Sequence, residues 1–120
     1  MGKRSRRRGA GAPLEAAAAE YRDAEGSVLV LRGAMTPATR GEYAAVAAGS
    51  PLSREDAWKR AVEFLFERLA VRWEIAGAEP IVRQKELLAR FRFAGADERR
   101  WIRDALREHL AEHFPELPAP

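Results

Sequence analysis

Residues 53–77, SREDAWKRAVEFLFERLAVRWEIAG, form the longest stretch of helical apolar periodicity in the chain. The opening Ser-Arg-Glu-Asp resembles a capping box, and Gly77 stands where such a helix would end. At 100° per residue, the polar side chains fall on one narrow stripe and the apolar ones spread over the rest of the circumference. The wide apolar arc holds Trp58, Val62, Phe64, Leu65 and Leu69. The pattern predicts a central helix that other elements contact from more than one side.

The end of this stretch also allows a different structure. In residues 71–75 (VRWEI), apolar and charged side chains alternate as they do in a half-buried strand. The partner of that strand would be residues 27–32 (SVLVLR), the clearest strand pattern in the chain, which lies between Gly26 and Gly33. Because residues 71–75 also continue the helical pattern from upstream, we favour the helix. The run 28–31 is then an extended core segment, or pairs across a dimer.

Four further helices are indicated by caps and breakers. Pro13, followed by the Ala- and Glu-rich residues 14–25, predicts a first helix, and Thr36-Pro37 begins a second that ends at Gly49. A helix from Pro80 to Phe93 and a last one from Asp97 to Phe114 follow the central stretch. Short junctions between the last three helices favour antiparallel packing.

These elements together predict a mainly α fold. We expect a single-domain helical bundle of about five helices, with the three C-terminal helices as its core and one short β element at 28–32. A chain of 120 residues has the length of one ordinary domain. Residues 1–12 are expected to be a disordered basic tail, 13–114 the helical domain, and 115–120 a disordered C-terminal tail.

Positive charge is concentrated at the start of the chain. Residues 1–8 carry Lys3, Arg4, Arg6, Arg7 and Arg8 and no acid, which is more than the whole net charge of +3. A run of like charges on a flexible segment binds polyanions by releasing their counterions. We therefore predict that these five residues contact RNA or DNA without sequence specificity. The alternative is a solvated terminus that only favours solubility.

A second basic stretch, residues 83–107, spans two predicted helices and the glycine turn between them. This arrangement invites comparison with a helix-turn-helix. However, the second helix also carries Asp104 and Glu108, which would repel phosphate. We favour a solvated face of mixed charge over sequence-specific DNA binding, with a supporting role in electrostatic contact.

The last predicted helix contains His109-Leu-Ala-Glu112-His113, which matches the H-x-x-E-H pattern of a class of zinc peptidases. The chain has no other His and no Cys, so any third ligand would have to be Asp or Glu. We expect two boundary imidazoles that cover the edge of the core, and therefore no catalytic residue, no metal and no cofactor. A metal-dependent hydrolase is kept as a third hypothesis.

Arg68 and Arg72 fall within the apolar arc of the central stretch. Since an unpaired buried guanidinium is costly, we expect their stems to lie along apolar surface and their charged ends to reach water or a nearby acid such as Glu74. Binding of an anionic partner is the alternative.

The function classes that survive are non-enzymatic. The first is a helical accessory protein that contacts nucleic acid or a ribonucleoprotein through its basic N-terminal tail. The second is a protein-interaction or homodimerisation module with no nucleic-acid role, in which the N-terminal helices and residues 28–31 pack against a partner. The absence of Cys excludes disulfides and thiolate chemistry, and the chain has no long apolar run or export signal, so we predict no membrane contact and a cytoplasmic location.

Overall fold

The computed structural model describes residues 18–49 and 54–120. Two strands come first, followed by two helices, a third strand and two more helices. Their bounds are β1 (Ala19–Arg22), β2 (Val28–Leu31), α1 (Pro37–Ala48), α2 (Arg54–Leu69), β3 (Ala70–Glu74), α3 (Gln84–Arg92) and α4 (Ala96–His113). The three strands form one antiparallel sheet in the order β1-β2-β3. The described part of the chain is therefore a small mixed α and β domain with four helices, and the prediction of a mainly α bundle of about five helices is wrong.

The first error lies at β1, within the residues predicted as the first helix. Ala19 pairs with Leu31 and Tyr21 with Leu29, so β1 and β2 form a hairpin. The turn between them is closed by Asp23, whose carboxylate accepts hydrogen bonds from the amides of Glu25 and Ser27. Helix propensity in an Ala- and Glu-rich segment is a weak preference, and here strand pairing overrides it. The part of that predicted helix before residue 18 lies outside the described residues.

The second error lies at residues 71–75, where the strand that we ranked second is the one that forms. Helix α2 ends at Leu69 and the chain continues directly into β3, which pairs Trp73 with Leu29. Val71 is the extra residue of a register shift, so Ala70 and Trp73 both face the core while Val71 and Arg72 are exposed. The backbone groups of β2 thereby find partners on both sides within the chain, and no dimer is needed to supply them.

Other predicted elements are confirmed, some with shifted ends. Thr36 caps α1 by accepting a hydrogen bond from the amide of Thr39, and α4 covers nearly the residues expected of the last helix. The helix predicted from Pro80 begins later, at Gln84, because Ile81 exchanges two backbone hydrogen bonds with Trp73 at 2.8 and 3.0 Å. The predicted capping box at residues 53–56 begins outside the described residues.

One hydrophobic core joins the sheet to the helices. The aromatic ring of Phe66, on α2, packs edge to face on Trp73 of β3 and stacks on Phe91 of α3, with centroids 5.6 and 4.8 Å apart. Ile102 and Leu106 of α4 are fully buried in the same cluster. Helices α2 and α4 therefore hold the other elements in place, and they also position the side chains of the candidate site.

Residues 115–120, predicted as a disordered tail, lie against the helices in the structure. Leu117 packs on the core and Pro120 is buried. The hydroxyl of Tyr43, on α1, donates a hydrogen bond to the carbonyl of Pro118. We call residues 115–120 the C-terminal segment. Among the described helices, none combines the length and the apolarity that a membrane crossing requires.

Candidate functional site

The five basic residues predicted to contact nucleic acid, Lys3, Arg4, Arg6, Arg7 and Arg8, lie outside the described residues. The folded domain brings together a second set of cations. These lie on α4 and on the adjoining parts of α2 and α3.

Arg99, Arg103 and Arg107 are spaced four residues apart and form a row along one edge of α4, which we call the arginine stripe. Their guanidinium groups donate hydrogen bonds to backbone carbonyls. Arg99 reaches the carbonyls of Arg92 and Ala94 at 2.8 and 3.0 Å. Arg103 and Arg107 share the carbonyl of Pro120, each at 3.1 Å.

The arginine stripe differs from the other arginines of the basic stretch. Arg90, Arg92 and Arg100 each form an ion pair with a carboxylate, at 2.6 to 3.2 Å. No carboxylate of the described residues lies within salt-bridge distance of the stripe. A carbonyl positions a guanidinium without cancelling its full charge, so the stripe retains positive charge that an anionic ligand can use.

An aromatic residue lies beside the stripe. The guanidinium of Arg103 stacks over the ring of Trp58, on α2, with 4.0 Å from Cζ to the ring centroid. Next to this pair, Trp58, Lys59 and Val62 of α2, Phe91 of α3 and Arg99 of α4 line a cavity of about 320 Å³. We call it the Trp58 cavity. Its walls are apolar and aromatic, and Lys59 and Arg99 place two cations on it.

Phe93 lies in the turn between α3 and α4, and its side chain is 84% exposed. Arg99 donates to the carbonyls of the residues on either side of it. The same guanidinium lies over the ring of Phe91, 4.9 Å from the centroid. Phe93 is therefore held at the same end of the molecule as the Trp58 cavity, and an aromatic ring in water at this place is available to a ligand.

The acidic residues of α4 lie on its other edge. Glu108 and Glu112 are near Tyr21 of β1, where their charge adds to burial in raising the pKa of the Tyr21 hydroxyl to about 12. Asp97 and Glu98 line a surface hollow together with Trp101 and residues 23–25 of the β1–β2 turn. The acids that argued against phosphate contact are thus segregated from the arginine stripe, since β1 and α2 flank α4 on different sides.

His109 is fully buried, and both of its ring nitrogens have partners within the protein. Nε2 is 2.9 Å from the carbonyl of Arg32, which can only accept, so Nε2 carries the hydrogen. Nδ1 then accepts from the hydroxyl of Tyr21 at 2.7 Å. Desolvation by burial lowers the pKa of His109, against the opposing effect of the Arg32 carbonyl.

This arrangement leaves His109 no free nitrogen for a metal ion. His113 lies beside it with ring centroids 4.4 Å apart, and its Nε2 is 3.9 Å from a carboxylate oxygen of Glu112. The described residues contain no cluster of three or more His, Asp or Glu side chains with metal-binding geometry. The H-x-x-E-H match therefore corresponds to a core histidine and a half-buried neighbour in this fold.

Arg68 and Arg72 follow the expectation that their charged ends reach acids and water. Arg68 lies over the ring of Phe64 and within 4 Å of Glu42 and Glu67, and Arg72 pairs with Glu74 at 2.9 Å. The alternative of an anionic partner has no support from these contacts.

The sequence interpretation missed the Trp58 cavity. Trp58 and Arg103 are 45 positions apart, so only the tertiary fold brings them together. The spacing of Arg99, Arg103 and Arg107 was visible, and it could have indicated that they share one edge of a helix. The chain matches no protein-family model, no curated protein and no solved structure.

Proposed function

We propose that the protein is a non-enzymatic nucleic-acid-binding protein that contacts the phosphates of RNA or DNA electrostatically and does not read base sequence. The observation that carries this proposal is the arginine stripe, whose three guanidinium groups bond to carbonyls and not to carboxylates. The cations at positions 3–8 belong to the same function. A cytoplasmic location is part of the proposal.

The dimensions of the stripe suit a nucleic-acid backbone. Eight residues of α-helix separate Arg99 from Arg107, which is a rise of about 12 Å. This length corresponds to about three or four phosphates along one strand of a duplex, at roughly 3.4 Å of axis for each. Arginine is well suited to this role because its planar guanidinium can bond two phosphate oxygens at once.

The alternative of a protein-interaction module loses its original motive. It was based on a strand run without a partner and on N-terminal helices with few apolar anchors. In the fold, β2 pairs on both sides, and Tyr43 of α1 is fully buried in the common core. No described element is left requiring a second chain to cover it.

The test is the salt dependence of binding. We expect a labelled oligonucleotide, followed by fluorescence anisotropy at increasing KCl, to bind the full chain with an affinity that falls steeply as salt rises. The double variant Arg99→Gln/Arg107→Gln should bind more weakly, with a log–log salt slope smaller by about 2, because roughly one counterion is released for each phosphate contact. Deletion of residues 1–12 should lower the slope further.

The matched control is Arg72→Gln/Arg100→Gln, which removes two arginines that are already paired with acids. This control has the same net charge as the stripe variant and should retain wild-type binding. Equal losses in the two double variants would show that only total charge matters and would overturn the role of the stripe. Absence of binding by the intact chain at low salt would overturn the whole proposal.

A further inference from the structure

The Trp58 cavity has the composition of a site for a flat, uncharged ring attached to an anionic group. Val62 and Phe91 provide apolar surface, Trp58 provides an aromatic edge, and Lys59 and Arg99 provide positive charge. Its volume of about 320 Å³ is near the lower end of the range for small-molecule pockets, roughly 300–1,000 Å³. One ring system with its substituents fits such a space, whereas a helix of a partner protein needs a longer groove.

The side chains around the cavity are already fixed in place. Arg103 is stacked on Trp58 and also bonded to the carbonyl of Pro120. Arg99 is stacked on Phe91 and bonded to two carbonyls at the end of α3. Ligand binding therefore does not have to order these two long side chains, and this ordering is a large part of the entropy that binding usually costs.

Resting on the proposed function, we infer that the Trp58 cavity accepts one base of a single-stranded nucleic acid. The base inserts between the aromatic walls, and the adjoining phosphates contact Lys59 and Arg99. The neighbouring base can stack on the exposed ring of Phe93. Aromatic surface interleaved with positive charge is the usual composition of single-strand sites, and guanidinium planes as well as aromatic rings serve as stacking surfaces for bases.

A duplex cannot use this cavity. Its bases are paired and stacked, and their faces are not available to a cavity enclosed by three helices. Beyond the two cations, the lining has only the indole NH of Trp58 as a side-chain polar group. Stacking is tolerant of base identity because every base has a π face, so the site should prefer single strands without strong sequence preference.

The experiment compares three probes: an oligothymidylate, an abasic strand with the same number of phosphates, and a duplex. The full-length protein should bind the oligothymidylate about tenfold more tightly than the abasic strand, which is the size expected for stacking of one base. Trp58→Leu should abolish this preference while leaving the salt slope unchanged, because the phosphate contacts remain.

Trp101→Leu is the matched control. Trp101 is also half-buried, but it lines the acidic hollow on the other edge of α4, and its replacement should leave the preference for bases intact. Phe93→Ser provides a second variant whose folding is not in question, because the ring is 84% exposed, and we expect it to weaken oligothymidylate binding by about threefold.

The outcomes separate the two proposals. If no probe binds at low salt, the proposed function fails and the cavity site fails with it. If all three probes bind with equal, salt-dependent affinity, and neither Trp58→Leu nor Phe93→Ser changes it, phosphate binding stands and the base site is overturned. Loss of base preference in Trp58→Leu but not in Trp101→Leu supports the base site.

Discussion

His109 joins three parts of the fold through one neutral ring. It lies on α4, receives a hydrogen bond from Tyr21 of β1, and donates one to the carbonyl of Arg32, just after β2. Only the neutral imidazole with its hydrogen on Nε2 satisfies both partners as they stand. A proton added to Nδ1 would place a charge in the core and face the hydroxyl that now donates to that atom, which is why the buried ring resists protonation.

This environment predicts acid sensitivity of the fold. The pKa of His109 is lowered from 6.5 in the folded protein, so the unfolded chain binds more protons at and below that pH. The stability contributed by His109 is fully present above about pH 6.5 and is lost as the pH falls from there through the folded-state pKa, with a limiting slope of about 1.4 kcal/mol per pH unit. Urea unfolding at about pH 7.5 and about pH 5.5 measures the loss.

His109→Gln is the informative variant, because an amide can preserve both hydrogen bonds but cannot take up the proton. We expect its free energy of unfolding to fall less between the two pH values than that of the wild type, by about 1 kcal/mol. His113→Gln, which keeps the buried ring, should retain most of the wild-type pH dependence. A wild-type loss equal to that of His109→Gln would contradict the assignment.

At the scale of single residues, the sequence predicted some positions and missed others for physical reasons. The caps at Thr36 and Gly49 were predictable because capping is local chemistry. The complete burial of His109 was not, since it depends on a strand that local propensity concealed. The contact between Trp58 and Arg103 was beyond prediction for the same reason, because it joins two helices whose packing the sequence does not state.

Among the elements, the junction of α2 and β3 determined the fold class. Residues 70–74 satisfy both a helical and an alternating pattern, and local periodicity cannot choose between them. The choice is made by β2, a strand whose amides and carbonyls need partners that a helix at this position could not provide. Giving greater weight to the unpaired strand pattern at 28–31 would have favoured the sheet.

Helix α1 predicts a series of glycine substitutions with different signs. Gly49, which ends α1, has a φ of +52°, and a methyl group there would overlap the Cβ of Ala57 on α2. We expect Gly49→Ala to lower the free energy of unfolding by about 3 kcal/mol, of which about 1–2 is the cost of a positive φ for a residue with a Cβ. Thermal or urea unfolding measures it.

Two other glycines isolate the separate causes. Gly77 has a φ of +78° but open space around it, so Gly77→Ala should lose only about 1–2 kcal/mol. Gly41 lies inside α1 with no neighbour for an added methyl group, and Gly41→Ala should gain about 0.5–1 kcal/mol. Equal losses at Gly49 and Gly77 would show that α1 does not pack against α2 as described.

At the scale of the whole molecule, charge is divided between the two edges of α4. The arginine stripe and the Trp58 cavity lie toward α2, and the acids lie toward β1. A net charge of +3 conceals this division, which the folded arrangement alone creates. A polyanion is therefore attracted to one edge and repelled from the other, so electrostatic contact can orient the ligand even without base recognition.

The C-terminal segment connects this charged edge to the core, and its removal provides the last prediction. Leu117 packs on the core, the carbonyl of Pro118 accepts from Tyr43, and the carbonyl of Pro120 accepts from two arginines of the stripe. Deletion of residues 115–120 should lower the free energy of unfolding by about 2 kcal/mol or more, because it exposes apolar surface and leaves the hydroxyl of Tyr43 without its acceptor. Glu116→Gln, which removes only an exposed ion pair with Arg40, should change stability by less than about 0.5 kcal/mol. A deletion as mild as this point change would mean that the segment is frayed in solution, and Arg103 and Arg107 would then lack the carbonyl that positions them.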